Sequence, residues 1–141
     1  MKLLGTLLAD EYILYTKTRK YHWNVYGSDF KQLHELFEEQ YEALDEIIDE
    51  MAERIATLGG KAATLQEFKQ TARLQEDPGE YPAPAQMVEN LWHDHESTIK
   101  EIREDADACE DDYNDTGTND FLTGILQKHE KMAWMLRSFL E

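Results

Sequence analysis

The chain has 141 residues, enough for one domain with a real core. Fourteen basic against 30 acidic side chains give 14 − 30 = −16, a balance that opposes phosphate backbones and anionic membrane surfaces and suits cations. Cys109 stands alone, so no disulfide framework is expected and a reducing, cytoplasmic setting is.

Three Pro and seven Gly among abundant Leu, Glu, Ala and Lys favour helix. The opening M-K-L-L-G-T-L-L-A is too short for a signal peptide and is interrupted by Asp10 and Glu11. No segment is long and apolar enough to span a bilayer. A first helix is expected over about residues 2–26, with Leu4, Leu8, Tyr15, His22 and Val25 recurring at helical spacing. Leu3, Leu7 and Leu14 widen that stripe, and Gly27 ends the helix.

A second helix starts at Ser28 or Asp29 as cap and runs to about Leu58. Its stripe is Phe30, Leu33, Phe37, Tyr41, Leu44, Ile48, Met51, Ile55 and Leu58, and Gly59-Gly60 stops it. In the connection over 61–83, Thr64-x-x-Glu67 is a capping-box pattern that predicts a short helix over about 65–73. Asp77-Pro78-Gly79 and Pro82-x-Pro84 then break the chain. A third long helix is expected from Pro84 to about Glu110, with Val88, Leu91, His95, Ile99, Ile102, Ala106 and Cys109 inward. After the acidic loop Glu110–Gly117, a fourth begins near Thr118 with Phe121, Leu122, Ile125, His129, Met132, Leu136 and Phe139 inward. Two long hairpins joined by one crossover predict an all-α fold, a four-helix bundle of ferritin-like topology, as a single domain over residues 1–141.

His22 and His34 are nearly symmetric about the Gly27-Ser28 turn, so antiparallel packing of the first two helices would bring their imidazoles level. Imidazole is a common ligand for iron, zinc and copper. On the second helix, with His34 set at zero, Asp45 falls at roughly 20°, Glu38 at 40°, Asp49 at 60° and Glu53 at 100°. The angle agrees and the height does not: fifteen residues separate His34 from Asp49, about 22 Å along the axis. Metal–ligand bonds are only about 2–2.5 Å long, so one subunit cannot gather all four residues.

A two-fold axis near Ala43–Leu44 resolves this, because position 34 of one copy then faces roughly position 53 of the other. His22, His34 and Glu38 of one chain would meet Asp49 and Glu53 of its partner, and such sites come in pairs. Carboxylates with imidazoles and room for water suit Fe(II) and its oxidation. Spacing alone leaves other readings open: an inward histidine is commonly a satisfied core residue, an acidic stripe is commonly a solvated face, and a two-chain bundle could hold zinc without turnover. No histidine has Glu three residues before it, which argues against the Glu-x-x-His centre of an intrasubunit di-iron bundle. His95 and His129 read as core histidines, and His93 as exposed.

At these residues the chain resembles the Dps family, the mini-ferritins or DNA-binding proteins from starved cells. The resemblance rests on K-Y-H-W-N-V-Y-G, L-H-E-L-F-E-E-Q-Y and D-E-x-x-D-E-M-A-E-R, with K-H-E-K-M-A-W-M-L-R-S-F-L-E similar to the family's last helix. It implies a homo-oligomer, a hollow dodecamer with ferroxidase centres between subunits. There Fe(II) is oxidised, preferably by hydrogen peroxide, and stored as ferric mineral, which protects against oxidative stress. Carried over by motif, His22, His34, Asp49 and Glu53 would be ligands, and Glu38 a further iron-ligating carboxylate. Trp23 resembles the family tryptophan that quenches oxidising equivalents; a packed interface aromatic is an equal reading of it. Asp111 and Asp120 resemble carboxylates lining iron-entry pores, although Asp120 could simply favour a helix N-terminus. A DNA-compacting shell with secondary iron chemistry is the alternative function. Many DNA-binding relatives carry a Lys/Arg-rich N-terminal tail, whereas this sequence offers only the small cluster Lys17, Arg19 and Lys20, so direct DNA binding is not expected.

Overall fold

The computed structural model describes residues 2–141. Five helices occur among them and no strand: α1 (Lys2–Asn24), α2 (Phe30–Thr57), α3 (Leu65–Thr71), α4 (Pro84–Asp111) and α5 (Thr116–Ser138). They fall into two compact units, Met1–Met87 and Val88–Glu141.

In the first unit α1 and α2 form an antiparallel hairpin. Leu4, Leu7, Leu8, Leu14, Tyr21 and Val25 are buried, as are Leu33, Phe37, Leu44, Ile48, Met51 and Ile55. The inward stripe of α1 also carries Asp10, Glu11 and Thr18, all buried and all invisible to a search for apolar periodicity. Phe30 and Leu58, expected inward, are 44 % and 40 % exposed, because both stand at the ends of α2. Tyr15 and Tyr41 are only half-buried.

The turns differ in detail from expectation. α1 stops at Asn24, and Gly27 takes φ +97°, a left-handed backbone that glycine adopts without a Cβ penalty. Asp29 occupies the N-cap position of α2 but makes no side-chain cap; its carbonyl accepts from Leu33 N instead. At the other end Gly60 N donates to Ile55 O and Gly59 N to Ala56 O, a Schellman closure with Gly59 at φ +90°.

The short helix α3 is capped by Thr64, which accepts from Glu67 N at 3.4 Å and donates its hydroxyl to the Glu67 carboxylate at 3.0 Å. It ends at Thr71 rather than near 73, since Asp10 captures the next backbone amides. Arg73 N and Leu74 N both donate to Asp10 Oδ1 (2.6 and 3.0 Å), while the Arg73 side chain pairs with Oδ2. Farther along, Lys20 donates to the carbonyls of Asp77 and Glu80, and Tyr21 Oη donates to Asp77 Oδ2 at 2.8 Å. The connection is thus pinned along α1 by buried or half-buried polar groups.

In the second unit α4 and α5 form another hairpin, and the inward residues expected on α4 from Val88 to Cys109 are all buried. Asn114 takes φ +55° in the turn. α5 begins at Thr116, two residues before the expected start, because Asp115 is the cap: it accepts from Thr118 N (3.0 Å) and Thr118 Oγ1 (2.6 Å). Gly117 reads as a breaker in sequence yet sits within the first turn. Phe139 is 43 % exposed as the C-cap residue rather than inward.

Candidate metal centre

His22 lies in the last turn of α1 and His34 in the first turns of α2, so the short turn between them sets the two imidazoles side by side. Their ring centroids are 3.8 Å apart with planes 15° from parallel. The backbone bonds are reciprocal: His22 Nδ1 reaches His34 O at 2.7 Å, and His34 Nδ1 reaches His22 O at 2.8 Å. A carbonyl only accepts, so each Nδ1 must carry the proton and donate. In the neutral ring this tautomer keeps the lone pair on Nε2, the form in which imidazole binds a metal. The structure brings together the two histidines that the sequence singles out, and fixes their tautomers by backbone alone.

Aromatic rings enclose the pair. Phe30 stacks on His34 at 5.0 Å, and Tyr41 presents a T-shaped contact to His22 at 5.2 Å and 71°. Arg19, one turn before His22, holds its guanidinium 4.6 Å from the Tyr41 centroid and 5.3 Å from that of Trp23. It also donates to Tyr15 Oη at 2.7 Å. That bond raises the Arg19 pKa beyond its ordinary value, helped by the charge of Asp45, so the guanidinium stays charged. Trp23 itself is 65 % exposed. In sequence Arg19 belongs to a small basic cluster with Lys17 and Lys20. The structure divides that cluster, since both lysines turn to the crossover carbonyls (Lys17 to Gln75 O at 3.1 Å). The signal available in sequence was the i, i+4 and i+7 or i+8 spacing of Tyr15, Arg19, His22 and Trp23 on one helix face.

The carboxylates do not join the histidines within this chain. Glu38, Asp49 and Glu53 are all exposed on the unbroken α2, and Asp49 stands about 22 Å farther along its axis than His34. Among the described residues no group of three or more His, Cys, Asp or Glu could hold a metal ion. Asp111 is the exposed last residue of α4, and Asp120 is exposed one turn inside α5, where Asp115 rather than Asp120 caps the helix.

His95 and His129 form a second imidazole pair, in the α4–α5 unit. Both are fully buried, with Nδ1 to Nδ1 at 2.8 Å, so one ring donates to the other. Burial, and secondarily the neighbouring His129, hold the His95 pKa well below the ordinary histidine value. His95 Nε2 has no hydrogen-bond partner in the structure. These are core histidines, as expected, and His93 is exposed with Glu89 3.5 Å away.

Two helical hairpins and an imidazole pair beside an acidic helix face define a ferritin-like protein, and residues 1–141 match the ferritin-like domain family. The chain is 49 % identical to an uncharacterized low temperature-induced protein of Nostoc, covering all of this chain and 79 % of the relative. It is 39 % identical to DNA protection during starvation protein 2 of Bacillus anthracis, covering 99 % of this chain and 95 % of that one. Among solved structures, a Dps protein from Vibrio cholerae, described as a member of a broad superfamily of ferritin-like diiron-carboxylate proteins, superposes with a TM-score of 0.91. The two are 30 % identical, over 99 % of this chain and 87 % of the other. This chain belongs to the Dps family and has the ferritin-like fold.

Proposed function

We propose that this protein stores and detoxifies iron. It oxidises Fe(II), with hydrogen peroxide as the preferred oxidant, at centres shared between two copies, and keeps the ferric product inside a dodecameric shell. The observation that carries this reading is the stacked His22–His34 pair with both Nδ1 atoms spent on carbonyls. That arrangement leaves the Nε2 atoms of two stacked rings as the prospective donors, near the start of a helix whose Asp49 and Glu53 stand too far along the axis to complete the shell themselves. Family membership supports iron as the substrate and protection from stress as the role.

In this reading His22 and His34 hold one face of the ferrous substrate. Glu38 stands one turn from His34 on α2, and Asp49 and Glu53 arrive from a two-fold partner. Anionic oxygens favour Fe(III) over Fe(II), so the carboxylates drive the oxidation. Two Fe(II) supply the two electrons that convert one hydrogen peroxide and two protons to two waters. Asp111 and Asp120 are assigned to the cation entry route, where acidic rings would concentrate Fe(II). The formal charge of −16 suits that attraction and opposes direct contact with DNA phosphates.

Complementation tests the shared centre. The variants His34→Ala and Asp49→Ala/Glu53→Ala are each expected to be slow alone. Dissociated, mixed and reassembled, they form heterodimers in which one of the two sites has both intact halves. Recovery of Fe(II) oxidation on mixing supports the intersubunit centre. No recovery from correctly sized shells, or full activity in a monomer, refutes it. A protein that binds zinc and never oxidises Fe(II) would be the non-redox bundle instead.

A further inference from the structure

A continuous row of rings leaves the histidine pair and runs back along α1. Tyr41 contacts His22 at 5.2 Å, Tyr15 contacts Tyr41 at 6.1 Å in a T-shaped arrangement, and Tyr12 contacts Tyr15 at 5.8 Å. Every centroid spacing falls within the range of rings in direct contact, about 4.5–7 Å. The row ends at Tyr12, half-buried, whose far face stacks on Phe68 of α3 at 5.1 Å. Tyr41, Tyr15 and Tyr12 are all half-buried, and phenylalanine rings could make the same ring contacts. What the phenols add is the ability to give up an electron and a proton.

We propose that Tyr41, Tyr15 and Tyr12 form a relay that carries a one-electron oxidising equivalent away from the histidine pair toward the α1–α3 surface. The proposal rests on the ferroxidase reading above, which supplies the oxidant. With two Fe(II) at a centre, peroxide is reduced by two electrons and nothing escapes. With only one, the second electron is missing, and hydroxyl radical would form. Tyr41 supplies that electron: Fe(II), H2O2 and one tyrosine give Fe(III), one neutral tyrosyl radical, one water and one hydroxide. Tyr15 then reduces the Tyr41 radical by transferring an electron and a proton, and Tyr12 does the same for Tyr15. At Tyr12 a further Fe(II) from solution restores the phenol, one proton being taken up. The net stoichiometry remains two Fe(II) per peroxide.

Arg19 is the positioning residue of this relay. Its guanidinium lies 4.6 Å from the Tyr41 centroid and 6.0 Å from that of Tyr15, and it donates to Tyr15 Oη at 2.7 Å. A fixed positive charge over a ring opposes formation of a ring radical cation, so oxidation there must proceed with loss of the phenol proton. The same bond holds the Tyr15 oxygen in place before and after. Trp23 shares the guanidinium at 5.3 Å but is the exposed member of the group, outside the tyrosine row.

The test uses the assembled protein loaded with less than one Fe(II) per centre and treated with excess peroxide in the presence of a radical-trapping nitroso compound. Adducts are mapped by peptide mass spectrometry, and hydroxyl radical is measured in parallel by spin trapping. Wild type is expected to carry the adduct on Tyr12. Tyr15→Phe, which keeps the ring and removes the oxidisable hydroxyl, should lose that adduct and release more hydroxyl radical. Its rate of Fe(II) oxidation at two irons per centre should stay at the wild-type value. Tyr41→Phe should lose adducts at both Tyr15 and Tyr12. An adduct that persists on Tyr12 in Tyr15→Phe, or is absent from a wild type that oxidises Fe(II) normally, overturns the relay. A wild type that oxidises no Fe(II) overturns the ferroxidase reading first, and the relay with it. Light scattering confirms that each variant keeps its particle size.

Discussion

His22 and His34 hold each other through their backbones: each Nδ1 donates to the other residue's carbonyl, at 2.7 and 2.8 Å, with the rings stacked at 3.8 Å. Neither side chain can turn away without breaking its own bond to the other residue's carbonyl and the stacking of the two rings. The chain's own backbone therefore orients the pair, and it uses Nδ1 rather than Nε2 of each ring to do so. The turn that allows it passes through Gly27 at φ +97°.

Removing either imidazole takes away one prospective ligand and the ring stacked on the other, whose own bond to a backbone carbonyl remains. His34→Ala and His22→Ala are each expected to slow peroxide-driven Fe(II) oxidation by at least about 10–100-fold, the scale on which even a ligand's supporting hydrogen bonds count. The initial rate of ferric absorbance, with particle size checked in parallel, measures this. Wild-type rates in both variants would sink the site assignment.

Asp10 accepts two backbone amides and the Arg73 side chain while itself almost wholly buried. Asp10→Ala strands Arg73 N and Leu74 N and frees the crossover from α1. A loss of about 3 kcal/mol is expected, since a removed buried acceptor leaves its donors unpaired. Denaturant melts should show the reduced midpoint, and proteolysis should cut first near residues 73–80. An unchanged midpoint would mean that the crossover is held elsewhere.

The His95–His129 pair makes stability depend on pH in a definite direction. The folded His95 pKa is depressed, so the folded state binds fewer protons than the unfolded chain, whose histidine titrates near about 6.5. Its contribution is fully present above that pH and is lost as pH falls below it, by up to about 1.4 kcal/mol per pH unit for one proton. Unfolding midpoints measured between about pH 7.5 and 5 should therefore decline. His95→Gln, neutral throughout, should flatten the decline. An equal slope in both proteins would place the acid sensitivity in other groups.

The sequence by itself determined the helices and their order, because apolar residues at helical spacing and glycine stops are local signals. It also marked His22 and His34, whose near-symmetry about Gly27 needs only an antiparallel hairpin to become a contact. The rise per residue alone separates Asp49 and Glu53 from them. Only the tertiary structure decided the rest. Side-chain capping of α5 by Asp115 but not of α2 by Asp29 depends on the local backbone each turn adopts, and burial of Asp10 and Glu11 on an apolar stripe depends on which polar groups meet across the chain. So does the row from His22 to Tyr12. Tyr41 lies on α2 while Tyr15 and Tyr12 lie on α1, and Arg19 reaches the rings of Tyr41, Tyr15 and Trp23 at once. Periodicity assigns a residue to a face; it carries no information about which ring of the neighbouring helix stands opposite, because that is fixed by the register of two packed helices.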